Sequence, residues 1–158
     1  MALTLALAKG ADVVLLDEPL AELDPLARRA AMRLVMTEVA ERSATVVYST
    51  HVLAELEPVC DHVVVLGQGM VLLMGAVEEL VCSHSLVSGP APRLARLAHA
   101  VGPRPSSGAG TVLVERPPLA LDDHGLVARP PSISEVCLAY LSAPYPGRTP
   151  EPLSGARR

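Results

Sequence analysis

The sequence predicts an α/β fold in which a parallel β-sheet with flanking helices is followed by a small C-terminal α+β extension. Two short apolar runs, residues 13–16 and 45–48, have the length of buried strands, and a stretch with helical features, residues 25–42, separates them. Strand, helix and strand in this order predict a right-handed βαβ unit with parallel strands. The hydrophobic fraction of 50% is enough for a packed core and excludes disorder of the whole chain.

Local signals justify the elements of the first part. Residues 1–9 are rich in Ala and Leu and predict a helix. The uninterrupted apolar run Val13–Leu16 indicates a strand that is buried on both faces, as in parallel sheets. Asp24 and Pro25 have the residue types of an N-cap and a first-turn proline, so the long helix is expected to begin there. Thr45–Tyr48 is the second buried strand.

Shorter elements are predicted further along the chain. Residues 51–60 have a helical pattern, residues 63–66 and 70–74 form a β-hairpin, and residues 77–82 form a short helix.

The composition divides the chain into four segments. Residues 1–88 form the main α/β part, 89–110 a linker rich in Pro and Gly, 111–143 a small strand–helix extension, and 144–158 a disordered tail. The linker and the tail are expected to be mobile, because their composition cannot bury enough surface to offset the entropy of ordering. Within the extension, Ser132 predicts the start of a helix, since a glutamate three residues later completes a capping box.

Charge and composition exclude several function classes. The net charge of −4 and the aromatic content of 2% argue against nucleic acid as a partner, because basic patches and stacking rings are missing. The longest apolar stretch, residues 63–77, is interrupted by glycines and is shorter than the roughly 20 residues of a membrane-spanning helix. Cys60, Cys82 and Cys137 have no metal-ligand spacing and predict small buried residues in a reducing compartment. We therefore expect a cytoplasmic chain.

Two adjacent acidic residues, Asp17 and Glu18, follow the first buried strand directly. Ligands of open α/β sheets bind at the carboxyl ends of the strands, so both carboxylates are expected to face the binding crevice. Paired carboxylates suit Mg²⁺, which prefers oxygen ligands and retains several waters.

These residues, together with the segments after them, resemble the ATP-binding subunit of ABC transporters. Residues 13–17 match the Walker B strand, and Glu18 matches the catalytic carboxylate that follows it. Ala21-Glu22-Leu23-Asp24 resembles the D-loop, and His51, after Ser49-Thr50, resembles the switch histidine. The fold that the resemblance implies is a partial P-loop NTPase-like parallel sheet that lacks the Walker A strand.

The resemblance implies ATP and Mg²⁺ as cofactors. Asp17 would hold Mg²⁺ through water, and Glu18 and His51 would be the catalytic residues. Asp24 would contact the nucleotide site across a head-to-tail dimer with a second ATPase domain. The other implied partner is a membrane permease, which would place the chain at the inner face of the cell membrane when the two are assembled.

The resemblance is close over residues 1–82 and looser over residues 111–142. Residues 132–141 are similar to the closing helix of the export branch of the family, so the implied function is an exporter-type ATPase subunit that powers efflux.

The family's phosphate-binding parts are not found in these 158 residues. The Walker A motif, G-x-x-x-x-G-K-[ST], needs a lysine after a glycine, and the only lysine, Lys9, follows Ala8. The Q-loop and the signature motif precede Walker B in the family. We therefore expect a truncated form, natural or otherwise, that is inactive alone.

Two alternatives remain from the sequence. One is a regulatory or partner-binding remnant that does not hydrolyse ATP, although the intact Asp17, Glu18 and His51 favour a recent truncation. The other is an ABC-type ATPase of DNA repair, which the absence of a heptad pattern and the net charge of −4 disfavour.

The 158-residue chain alone is expected not to bind ATP·Mg²⁺ at millimolar concentration, because no residues cradle the phosphates. Isothermal titration calorimetry measures this directly. Saturable binding with a Kd below about 1 mM, which corresponds to about 4 kcal/mol, would contradict the prediction.

Overall fold

The computed structural model describes residues 2–57, 59–116 and 125–143 and has a mixed α/β architecture, as predicted. It separates the chain into two compact units, Met1–Val59 and Cys60–Arg158, so the division does not fall at the predicted boundary, residue 88. The predicted disordered tail, residues 144–158, lies outside the described residues.

The first unit is a two-stranded parallel sheet with two helices. Its strands pair from Val13↔Thr45 to Leu16↔Tyr48, which confirms the predicted parallel pair. The elements of this unit are α1 (Ala2–Ala8), β1 (Val13–Leu16), α2 (Pro25–Arg42) and β2 (Thr45–Tyr48).

The helices cover one face of this sheet. Val14 packs with Leu7 of α1 and Val35 of α2 in a buried cluster. On the other face, Val13 and Leu15 of β1 are 59% and 75% exposed. The prediction that β1 is buried on both faces is therefore wrong for the described part of this unit, since both of its helices pack against the same face.

The predicted helix over residues 51–60 is also wrong. The structure has a single 3₁₀ turn, Leu53–Glu55. The Thr50 hydroxyl accepts a hydrogen bond from the Val52 backbone N–H at 3.0 Å, a local bond that competes with helix formation. Pro58 lacks a backbone N–H and disfavours helical geometry at the residue before it, so a longer helix after this 3₁₀ turn is unfavourable.

The second unit contains a β-hairpin and a four-stranded antiparallel sheet with the order β6-β7-β5-β8. The hairpin and the short helix after it were predicted, whereas β5, β6 and β8 were not. The elements are β3 (His62–Gly67), β4 (Met70–Ala76), α3 (Val77–Ser83), β5 (His84–Pro90), α4 (Ala91–Leu94), β6 (Ala100–Val101), β7 (Ala109–Glu115), β8 (Val127–Arg129) and α5 (Ile133–Ser142).

Residues 89–110, predicted as a mobile linker, are part of this second unit. Strands β5 and β7 pair along their whole length, from His84↔Glu115 to Pro90↔Ala109. Leu94 of α4 is 0% exposed in a cluster with Val87 and Val112. The linker prediction was based on the Pro and Gly content. It failed because composition does not show which apolar residues between the prolines and glycines pack in a core.

The C-terminal helix α5 begins as predicted. The Ser132 hydroxyl accepts a hydrogen bond from the Glu135 backbone N–H, and the Glu135 carboxylate accepts one from the Ser132 N–H at 2.9 Å. Arg129 also donates to this carboxylate, and that hydrogen bond lowers the pKa of Glu135. In the part of the chain that the structure describes, no helix is both long and apolar enough to cross a bilayer.

Leu94→Ala is expected to lower the free energy of unfolding by about 2–5 kcal/mol, because it leaves a cavity in the core of the second unit. Leu138→Ala is the matched control: Leu138 is 55% exposed, so a change within about 0.5 kcal/mol is expected. Urea denaturation measures both. Equal stability of the two variants would restore the interpretation of residues 89–110 as a linker.

Candidate functional site

The site lies where the two parallel strands of the first unit end. Asp17 follows β1 and Ser49 follows β2, and the Ser49 N–H donates to the Leu16 carbonyl at 2.9 Å. This bond continues the β1–β2 pairing by one residue. The polar residues after both strands are thereby brought together, as the sequence predicts for the carboxyl ends of parallel strands.

Asp17 is held by a serine of the neighbouring strand. Its Oδ1 accepts a hydrogen bond from the Ser49 hydroxyl at 2.6 Å. No other described residue donates to this carboxylate, so Oδ2 is available to a cation. Within the described residues, no three His, Cys, Asp or Glu side chains are grouped to hold a metal ion. Mg²⁺ often uses only one or two carboxylates and keeps several waters, and a single Asp17 carboxylate with Oδ2 unbonded is compatible with that kind of binding.

Glu18 has a backbone conformation that is uncommon outside glycine. Its φ of +41° lies in the left-handed region, which costs on the order of 1–3 kcal/mol at a non-glycine residue and is often found at functional sites. The Glu18 N–H donates to the Ser49 hydroxyl at 2.9 Å, which compensates part of this cost.

The Glu18 side chain contacts His51. Its Oε1 lies 3.0 Å from Nδ1 of the histidine, within hydrogen-bond distance. Both side chains are accessible, at 47% and 68% exposure, so a ligand can reach them. They also border a cavity of about 10 Å³, which is near the volume that one water molecule needs.

Asp24 has a structural contact of its own. Its Oδ1 accepts hydrogen bonds from the backbone N–H groups of Leu26 and Ala27 at 2.9 Å, so it caps α2 as predicted. The hydrogen bonds from Ala27 and Leu26 lower the pKa of this carboxyl. No described contact joins Asp24 to Asp17, Glu18 or His51.

An ion pair ties the segment around His51 to α2. The Glu55 carboxylate forms an ion pair with Arg28 Nη1 at 3.2 Å and accepts a hydrogen bond from the Thr50 hydroxyl at 2.7 Å. The Glu55 side chain is only 9% exposed. Arg28 also donates to the Leu23 carbonyl at 3.4 Å. Arg28 thus connects the turn before α2 with the turn that contains His51.

Sequence reasoning missed Ser49, Arg28 and Glu55. The signal for Ser49 was present, because it follows β2 as Asp17 follows β1. Arg28 differs from Arg29 and Arg33 of the same helix, since those two are exposed whereas Arg28 contacts Glu55. No sequence pattern pairs Arg28 with Glu55, because the turn between residues 48 and 55 decides their distance.

Comparisons with known proteins give several matches to part of the chain. The chain is 34% identical over 80 residues to an uncharacterised ABC transporter ATP-binding protein of Nostoc sp.. It is 36% identical over 85 residues to the thiamine import ATP-binding protein ThiQ of Jannaschia sp., and 36% identical over 74 residues to the energy-coupling factor transporter ATP-binding protein EcfA2 of Enterococcus faecalis.

Over about half of its length, the chain is similar to ATP-binding proteins of ABC transporters. The three matches cover 51%, 54% and 47% of the chain. They cover only 24%, 37% and 26% of the relatives' own length, so the chain spans a minor part of each relative that it matches. No protein-family model matches the chain.

Glu55→Gln is expected to lower the free energy of unfolding of the first unit by about 1–3 kcal/mol, because Arg28 loses its charged partner in a half-buried position. Far-UV circular dichroism of the chain during urea denaturation measures the change, because α2 is the longest helix of the described residues.

Glu38→Gln is the control for this variant. Its ion pair with Arg42 is an i,i+4 pair on α2, and losing it is expected to cost about 0.2–0.5 kcal/mol. An equal loss in the two variants would show that the Arg28–Glu55 pair has no special role.

Proposed function

We propose that the chain contributes the Walker B, D-loop and switch-histidine part of an ATP-hydrolysing subunit of an ABC transporter. The observation that supports this most is the 3.0 Å contact between Glu18 and His51, directly beside Asp17, at the shared carboxyl ends of β1 and β2. The relatives named as ABC transporter ATP-binding proteins agree with it.

Each of the three side chains has a distinct task in this proposal. Asp17 would hold Mg²⁺ through water, since its Oδ1 is bonded to Ser49 and its Oδ2 remains for this task. When bound, Mg²⁺ supplies positive charge that stabilises the phosphates. Glu18 orients the attacking water and accepts its proton, a task for which an accessible carboxylate is suited.

His51 links the base to the phosphate. Its Nδ1 faces the Glu18 carboxylate, which leaves Nε2 for a phosphate oxygen. An imidazole nitrogen that carries a proton can donate a hydrogen bond to a phosphate oxygen. In this arrangement His51 holds Glu18 in place and stabilises charge on the phosphate.

The proposed partners are a membrane permease and a second ATPase domain. Relatives named for thiamine import and for an energy-coupling factor transporter support a transport role and a place at the inner face of the membrane. Asp24 is proposed to contact the second domain, for which only Oδ2 remains, because Oδ1 caps α2. We further propose that transport is export, and this depends on the resemblance of residues 132–141 alone. The named relatives do not support it, because one of them is an import protein.

A chimera tests the proposal, because the chain matches only 37% of the thiamine import relative. The matching segment of that relative is replaced by residues of this chain, and ATP hydrolysis and ATP affinity are measured. Glu18→Gln is expected to lower turnover by about 10²–10⁴-fold with little change in affinity, because only the proton acceptor is removed. The variant should also accumulate as an ATP-bound dimer, and His51→Ala should likewise lower turnover while ATP still binds.

Glu41→Gln is the matched control, since Glu41 is exposed near the end of α2. It is expected to leave turnover unchanged. Wild-type turnover in the Glu18→Gln chimera would remove the role assigned to Glu18 and the Walker B interpretation with it.

A further inference from the structure

Ser49 makes two side-chain hydrogen bonds to two consecutive acidic residues. Its Oγ lies 2.6 Å from Oδ1 of Asp17 and 2.9 Å from the backbone nitrogen of Glu18. A backbone N–H can only donate, so the hydroxyl accepts from Glu18. Its single proton is then directed to the Asp17 carboxylate, and the direction of both hydrogen bonds is determined.

The position of Ser49 follows from the strand register. Leu16 is paired with Tyr48, so the next residues of the two strands, Asp17 and Ser49, are neighbours. The Ser49 N–H donates to the Leu16 carbonyl at 2.9 Å, and this bond positions the Ser49 backbone independently of its side-chain contacts. The hydroxyl is therefore presented from a rigid strand end.

The two bonds act on the point where the chain turns. Glu18 has a φ of +41°, and its N–H is bonded to the Ser49 side chain. The Glu18 carboxylate contacts His51, whereas the Asp17 carboxylate contacts Ser49. Two adjacent carboxylates are in this way held in separate environments, as a metal ligand and a general base require.

We propose that Ser49 is the positioning residue of this site: its hydroxyl sets the left-handed turn at Glu18 and holds Asp17 Oδ1. The inference rests on the proposed function for its catalytic consequence, but not for its structural part. Ser49 need not touch the nucleotide, because it acts through the two acidic residues.

The structural part is tested in the 158-residue chain by amide hydrogen exchange of Glu18, followed by NMR. Ser49→Ala is expected to accelerate this exchange about 5-fold or more, because the N–H loses its acceptor. Ser49→Thr keeps a hydroxyl and should retain the protection, whereas Ser49→Cys keeps the shape and should lose it. Thr37→Ala, which removes an exposed hydroxyl on α2, is the control that should leave Glu18 unaffected.

The catalytic part is tested in the chimera. Ser49→Ala is expected to lower kcat about 10-fold or more, with a smaller change in KM for ATP, because misplacing a catalytic group by about 1 Å can lower the rate up to about 10²-fold. Ser49→Thr should restore turnover. In the Glu18→Gln background, Ser49→Ala should cause a smaller loss of kcat than in the wild-type background, because only the part that acts through Asp17 remains. A residue that only strengthens the fold would lower kcat alike in both backgrounds.

The outcomes separate the two proposals. Unchanged Glu18 exchange in Ser49→Ala, or a full additional loss of kcat in the Glu18→Gln background, overturns the role of Ser49. If Glu18→Gln keeps wild-type turnover, the proposed function fails, and the exchange experiment still decides whether Ser49 sets the turn at Glu18.

Discussion

Parallel pairing of β1 with β2 brings residues 17–18 and 49–51 to one edge of the sheet, and the contacts between these segments depend on that register. A shift of one residue would exchange the faces of the strand and remove Ser49 from Asp17. The hydrogen bonds between residues 17–18 and 49–51 therefore depend on the pairing of the preceding strand residues. In that part of the sheet Val14 packs between α1 and α2.

Helix α2 connects the two strands and also supports the turn that contains His51. Asp24 caps its first turn, and Arg28, one turn later, reaches Glu55 beyond β2. Removing one partner of this partly buried pair leaves the other charge uncompensated, so we expect the contact to hold the turn more firmly than a fully exposed pair does. Within the first unit, both helices pack on the other face of the sheet from Val13 and Leu15.

Local signals predicted best those elements whose start or length depends on neighbouring residues. The strands Val13–Leu16 and Thr45–Tyr48, the Asp24 cap and the Ser132 capping box are as expected, because each depends on neighbouring residues in the sequence. Strand β5 was missed because its pairing with β7 joins residues that lie far apart along the chain. Composition gave residues 89–110 the character of a linker, whereas the burial of Leu94 makes them part of a core.

The sequence alone determined the residue types and spacing of the site: two acids after one strand, a histidine after the next, and an N-cap between them. Those features are local or lie at the ends of apolar runs, so periodicity and capping chemistry reveal them. Only the tertiary structure decided that the Ser49 hydroxyl lies between Asp17 and Glu18, that Glu18 adopts a left-handed backbone, and that Arg28 meets Glu55. These contacts depend on strand register and on the path of a turn, and both are set by long-range packing that no single segment encodes.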